Sequence, residues 1–173
     1  MDTTGESGHF AVLSGDRALL LDYISASGTV VVRARVGVFE PLHCTALGKA
    51  LLAFQPERRL NEVLARLALE RHTDKTLTER GKLETELGRV RAAELAHDDA
   101  EHDPVLYCLA APVLGREATV VGALGVSLVH PLALRDPAWL EQIGTQVQHH
   151  ARALGAALVT ALGGNAAMPH PAA

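Results

Sequence analysis

Aromatic residues are scarce in this chain. Phe, Trp and Tyr together make up 3% of its 173 residues. The 48% hydrophobic content must therefore build a core from Leu, Val and Ala. A basic excess is also missing. The net charge is −4, which argues against these residues gripping nucleic acid themselves, where a basic face is expected. No apolar run reaches the roughly 18 residues from which a membrane-spanning helix is read. The N-terminus shows no basic stretch followed by an apolar one, so no secretory signal is legible. Two cysteines, Cys44 and Cys108, are too few for a disulfide framework, and without an export signal they fit a reducing cytoplasm. Repeats and long low-complexity segments are absent, and the length suits one domain.

The most informative stretch runs from Pro41 to Phe54. Thr45 reads as a helix N-cap, because its hydroxyl can accept a backbone N–H of the first turn. Ala46, Leu47, Ala50, Leu51 and Phe54 then recur at helical spacing. The first N–H groups of a helix lack internal partners and carry positive partial charge, which suits a carboxylate or phosphate. Gly48 would keep this first turn narrow and let a ligand approach the backbone. An ordinary capped helix explains the same pattern.

The remaining elements follow from periodicity and turn residues. His9 to Leu13 and Arg17 to Ile24 read as a hairpin around Ser14-Gly15-Asp16. Thr29 to Val36 alternates and predicts a third strand. Pro56 opens a helix carrying Leu60, Val63, Leu64 and Leu67, and Thr78 caps another with Leu83, Leu87 and Val90 inward. A long hairpin spans Val105–Leu114 and Thr119–Val129 across a turn at Gly115 to Ala118. Asp136 and Pro137 start a last helix with a stripe of Leu140, Ile143, Val147, Leu154, Leu158 and Leu162, ended by Gly163-Gly164-Asn165. Short turns between neighbouring strands imply antiparallel pairing. The order predicts an α+β domain, one twisted antiparallel sheet with helices packed on its faces.

The long hairpin has two unlike faces. Val120, Leu124, Val126 and Leu128 share one with Tyr107, Leu109 and Val113. Val121, Ala123, Gly125 and Ser127 of the second strand and Cys108 and Ala110 of the first lie on the other, where small residues cluster. A face of small residues either accepts a closely packed helix or leaves a pocket.

Together these stretches resemble the effector-binding domain of IclR-type bacterial transcription regulators. The residues that carry the resemblance are Thr4-Gly5-Glu6, His9 to Leu13, Val36-Gly37, Pro41 to Ala53, Asp98 to His102, Cys108 to Val113 and Ala123 to Ser127. The resemblance implies a GAF-like fold, self-association into dimers or tetramers, and a small-molecule effector pocket that controls a winged helix-turn-helix outside these residues. DNA would be a partner only through that missing domain, and no membrane, cofactor, metal or catalytic residue is expected. The implied division is a tail over 1–8, the effector-binding domain over 9–163 and a loose tail over 164–173. Backbone N–H groups of Ala46 and Leu47 would hold a ligand carboxylate. Asp98, Cys108 and Ser127 would offer side-chain hydrogen bonds, and Thr45, Gly48, Ala110, Ala123 and Gly125 would line the pocket. Two positions depart from the family pattern. Gly125 stands where the family commonly has Ser, which would enlarge the pocket, and Glu94-Leu95 where it commonly has Gly-Tyr or Gly-Trp.

Three alternatives stay open at this level. In the polar cluster His97 to Asp103, Asp98 could line the pocket, His97, Asp98, Asp99, Glu101 and His102 could bind a metal, or the segment could be a solvated loop. If Asp98 faces the helix N-terminus, a carboxylate ligand meets repulsion unless Asp98 is protonated or accepts from a ligand hydroxyl. That favours hydroxy-acids and hydrated keto-acids. Cys44 beside His43, or Cys108, could serve a small-molecule enzyme as nucleophile, although a buried and inert Cys44 is the default.

Overall fold

The computed structural model describes residues 5–25 and 35–163. Six antiparallel strands form one sheet in the order β3-β2-β1-β6-β5-β4. They are β1 (Ser7–Ser14), β2 (Arg17–Ile24), β3 (Phe39–Pro41), β4 (Ala96–Asp99), β5 (Leu106–Leu114) and β6 (Val120–Val129). The helices are α1 (Ala46–Ala53), α2 (Glu57–Leu64), α3 (Arg80–Ala93), α4 (His130–Ala133) and α5 (Pro137–Gly163). This is the α+β arrangement that the sequence pattern predicts.

Local chemistry explains the hairpins and caps. β1 turns into β2 through Gly15-Asp16, with Gly15 at φ +65°. That left-handed backbone is cheap only for glycine, and it matches the twist of the flanking strands. Asp136 caps α5 by accepting from the Trp139 N–H at 3.0 Å, with Pro137 in the first turn. α5 is 27 residues long, about 40 Å at the helical rise. Among the described residues, no helix is long and apolar enough to cross a membrane.

The two sheet faces are filled differently. α5 packs Ile143, Val147 and Ala151 against Leu109, Val113, Leu124, Val126 and Leu128. On the opposite face, α1 and α3 bring Leu47, Leu51, Leu83, Leu87 and Val90 over Ala110 and Ala123. Each such Leu or Val contributes about 1.5–3 kcal/mol by leaving water. Arg91 of α3 also donates to the Ala53 carbonyl at 2.5 Å, which satisfies an orphan acceptor at the end of α1.

Several expectations need correction. β1 begins at Ser7, so Ser7 and Gly8 are not part of a tail. The expected strand Thr29–Val36 lies, over 29–34, outside the described residues, and Arg35 and Val36 are not in a strand. A short strand forms just after it instead, at Phe39–Pro41 on the edge of β2. Glu79, not Thr78, is the N-cap of α3, and its carboxylate pairs with Lys82 at 2.7 Å rather than capping. The His97–Asp103 segment is half strand, because Ala96–Asp99 extends the sheet beside β5. α4 was not legible. Val120 packs with the α1 face, not the bulky one, because the β5–β6 register shifts between Val113 and Leu114 and such a shift reverses which face a residue meets. Leu162 ends the α5 stripe 74% exposed, beyond the sheet. Residues 164–173, including Gly164 and Asn165, lie outside the described residues.

Candidate functional site

Thr45 fixes where α1 begins. Its Oγ1 accepts from the Gly48 N–H at 3.1 Å and donates to the Pro41 carbonyl at 2.6 Å. The N–H groups of Ala46 and Leu47 have no protein partner among the described residues. They are the unsatisfied, partly positive end of an eight-residue helix. Gly48 plays a different part from the one expected. Its amide is taken by Thr45, and a Cβ there would lie 2.5 Å from the Leu42 Cα and 2.6 Å from the Leu42 oxygen. Glycine at 48 lets the helix sit on the preceding backbone. It does not open the turn to a ligand.

Sheet register assembles the facing wall. Asp98 pairs with Cys108, and Cys108 with Ser127, in one row across β4, β5 and β6. Paired residues share a face, so three polar side chains distant in sequence stand side by side. Ser127 Oγ lies 3.3 Å from Cys108 Sγ and 2.9 Å from His9 Nε2. Burial pushes the Cys108 thiol up to about 12 and pulls His9 down to about 4, so both are neutral at pH 7. Asp98 is 3% exposed. Its Oδ1 accepts from the backbone N–H groups of Glu101 (2.7 Å) and His102 (3.3 Å). Burial nevertheless dominates and raises its carboxyl to about 7.

Between these walls lies a cavity of about 230 Å³. Thr45, Ala46, Leu47, Asp98, Cys108, Gly125 and Ser127 all line it. These are among the positions that the family resemblance assigns to a pocket. Gly48, Ala110 and Ala123 do not line it; the two alanines are buried beneath α1. Gly125 lines the cavity but does not simply enlarge it. A Cβ there would meet the Leu109 oxygen at 2.7 Å, Ala110 Cβ at 3.1 Å and Leu47 Cδ2 at 3.3 Å, so the bare backbone permits close packing of β5 and α1.

Sequence reasoning missed the polar lining residues His9, Glu40, His102 and Asp103, and Leu106, Leu109 and Val126 complete the wall. Glu40 is also pushed up by burial. It missed Lys49 as well, although a lysine amid Ala and Leu of a buried helix was a usable signal. Lys49 is 0% exposed and pairs with Glu101 at 2.5 Å and Glu86 at 3.4 Å. It ties the loop after β4, one wall of the cavity, to both α1 and α3. Burial raises Glu101 even with Lys49 beside it.

The two alternatives from the polar segment and the cysteines look different in three dimensions. Asp99 is engaged by Lys75 and His130, His97 by Tyr107, and Glu101 by Lys49. No triad of metal-ligating atoms forms within this segment among the described residues. Cys44 is 0% exposed and its thiol is raised to about 12, first by burial and then by Asp98, which removes the thiolate that a nucleophile needs.

A family model for the C-terminal region of the bacterial transcriptional regulator IclR matches residues 1–156. The HTH-type transcriptional regulator BhcR of Paracoccus denitrificans is 35% identical over 156 residues, 89% of this chain and 54% of that protein. The chain thus spans about half the length of this relative. The C-terminal domain of the Escherichia coli regulator KdgR superposes with a TM-score of 0.81 at 26% identity, covering 91% of this chain and 90% of that one. An IclR homologue from Microbacterium hydrocarbonoxydans, complexed with 4-hydroxybenzoate, gives a TM-score of 0.78 at 25% identity over 92% of this chain and 63% of its own. With the family pattern matched over nearly its whole length and the fold shared, the chain belongs to the IclR family, corresponding to the C-terminal region of these regulators.

Proposed function

We propose that these residues form the effector-sensing domain of a cytoplasmic IclR-type transcription regulator. It binds a small organic acid and catalyses nothing. The observation that carries this reading is the cavity itself. It sets two unpartnered helix N–H groups against the row Asp98–Cys108–Ser127. Its volume is below the roughly 300–1,000 Å³ of sites for drug-sized ligands, which fits a small acid. The ligand carboxylate sits on the Ala46 and Leu47 amides. Ser127 and the Cys108 thiol offer hydrogen bonds to the body of the ligand. Asp98 accepts from a ligand hydroxyl, or donates while protonated, so hydroxy-acids and aromatic hydroxy-acids are favoured. 4-Hydroxybenzoate, the molecule held by the Microbacterium homologue, has both a carboxylate and a hydroxyl. Burial keeps both thiols protonated, and the thiolate is the nucleophilic form, which supports sensing over nucleophilic catalysis.

A ligand shifts DNA affinity only by binding one arrangement of the oligomer better than another. Here it would bridge α1 and the sheet, so that a dimer or tetramer reads the changed position of α1. DNA contact would come from a winged helix-turn-helix partner domain.

Ala46→Pro is the sharpest test. Thr45 is already extended (φ −105°, ψ 146°), as a residue before proline must be, and proline suits a first helical position. The substitution removes one N–H and little else. In a calorimetric screen of small carboxylic acids, the wild type should bind at least one hydroxy-acid without turning it over. Ala46→Pro should weaken that binding about 10- to 100-fold, the worth of a charge-assisted hydrogen bond. Turnover of a bound acid, or unchanged affinity in Ala46→Pro, would defeat the proposal.

A further inference from the structure

One ring nitrogen each of His43 and His72 and the sulfur of Cys44 all lie within 4.8 Å of one another. This is the one such group of metal-ligating residues among the described residues. His43 is fully buried, and its Nε2 lies 2.9 Å from the Glu70 carbonyl oxygen. A carbonyl only accepts, so Nε2 carries the ring proton. Nδ1 then holds a lone pair, and it is buried with no hydrogen-bond partner among the described residues. Buried polar atoms are seldom left this way. A histidine that donates one nitrogen to a backbone carbonyl and offers the other unpaired is the arrangement that orients an imidazole towards a metal.

We propose that His43 Nδ1, Cys44 Sγ and His72 bind a zinc ion beside the N-terminus of α1. Two imidazoles and a thiolate suit zinc in softness, and three protein ligands leave a fourth position for water or for His102. The His102 ring centroid is 4.9 Å from that of His72. Zinc bonds of about 2.0–2.3 Å place tetrahedral ligands about 3.3–3.8 Å apart, so the three atoms must close in by about 1 Å. His72 is exposed on the connector between α2 and α3, and its side chain has room to make that adjustment. A crevice lined by Asp16, Arg17, His43, Glu70 and His72 leads in from solvent, and the two carboxylates offset the arginine. Binding displaces the Cys44 thiol proton to water and forms the zinc–sulfur bond. The burial that makes this thiol a poor nucleophile does not prevent metallation, because a bound cation deprotonates its own thiol ligand.

The site adjoins the proposed effector cavity without being part of it. Cys44 precedes the cap residue Thr45, and His102 touches His72 on one side and lines the cavity on the other. Metal binding is measurable with no organic acid present, so its success or failure is separate from that of the effector reading.

The test uses the whole chain stripped with a chelator and titrated with cobalt(II), then zinc(II). One cobalt per chain is expected, with a near-ultraviolet sulfur-to-metal band, visible bands of a tetrahedral centre, and displacement of both by zinc. About one proton should be released per metal near neutral pH. His72→Ala is at the surface and should fold, yet lose at least tenfold in affinity. Cys44→Ser should lose the sulfur band. Asp99→Asn, in the acidic segment, should change nothing. If Cys44→Ser fails to fold, proton release and His72→Ala decide alone. A cobalt spectrum without the sulfur band, or unchanged affinity in His72→Ala, would overturn the proposal.

Discussion

Ala110 and Ala123 lie fully buried beneath α1, in the same cluster as Leu47, Ala50 and Leu51. Cys108 and Ser127, two and four residues away on the same strands and the same face, open into the cavity instead. Both regions are paved with small side chains. The difference is the helix above them. Where α1 covers the strands, small residues allow close approach; beyond its first turn they leave space. The boundary is the pair Ala110–Gly125, where Leu47 would crowd any side chain added at 125. Pocket and core are thus one surface divided by the start of a helix, and what fixes that start (Thr45, Gly48 and Lys49) fixes the size of the site.

The largest effect should come from loosening the open end. Lys49→Met leaves Glu101 buried without its cation, and breaking such a pair costs about 3–5 kcal/mol. Denaturant unfolding should show that loss, and adding Glu101→Gln should recover most of it. A double variant no more stable than the single one would mean that Lys49 does not hold the wall through Glu101.

Gly48→Ala comes next, at about 1–3 kcal/mol for overpacking against backbone that cannot move aside. It should also reduce acid binding by shifting α1. A variant as stable as the wild type would show that the position of α1 is not set there.

The comparison itself is tested by a valine at each end. Ala123→Val, under the helix, should cost about 1–2 kcal/mol, whereas Cys108→Val should stay within about 1 kcal/mol because the cavity accepts the extra volume. Acid binding should respond in the opposite order, with Cys108→Val the worse. Equal stability costs at the two ends would erase the distinction.

The smallest effect is in pH dependence. Asp98 has a folded pKa of about 7 against an ordinary 3.8. The folded chain therefore holds the extra proton, and stability from this group falls as pH rises from about 4 to about 7. His9 acts oppositely. With a folded value of about 4 against 6.5, it costs stability below that window and none above it. The two slopes offset each other in the wild type. Asp98→Asn should uncover the rise, so that its melting temperature gains on the wild type as pH climbs through this range. A constant difference between the two melting curves would show that Asp98 does not titrate in the fold as described.

Much of this was legible one stretch at a time. The Thr45 cap, the Asp136–Pro137 start of α5, the β1–β2 hairpin and the two faces of β5 and β6 are local consequences of periodicity and turn chemistry. The misses were non-local. β3 and β4 are three and four residues long and exist because β2 and β5 offer edges to pair with. Val120 changed face through a register shift that its own neighbours do not announce. Gly48 and Gly125 were read as room for a ligand, and both serve close packing against backbone that arrives from elsewhere.

The sequence by itself determined the elements, the apolar stripes and the polar residues that have to be accommodated, because these depend on dihedral preference and spacing within one segment. Only the tertiary structure decided which of them meet. The row Asp98–Cys108–Ser127 is set by strand register, the His43–Cys44–His72 group by a connector folding back onto α1, and the burial of Lys49 by two carboxylates 37 and 52 residues away. Hydrogen-bond and charge partners at that separation are selected by the packed fold, where an unpaired charge is costly, and no local pattern encodes them.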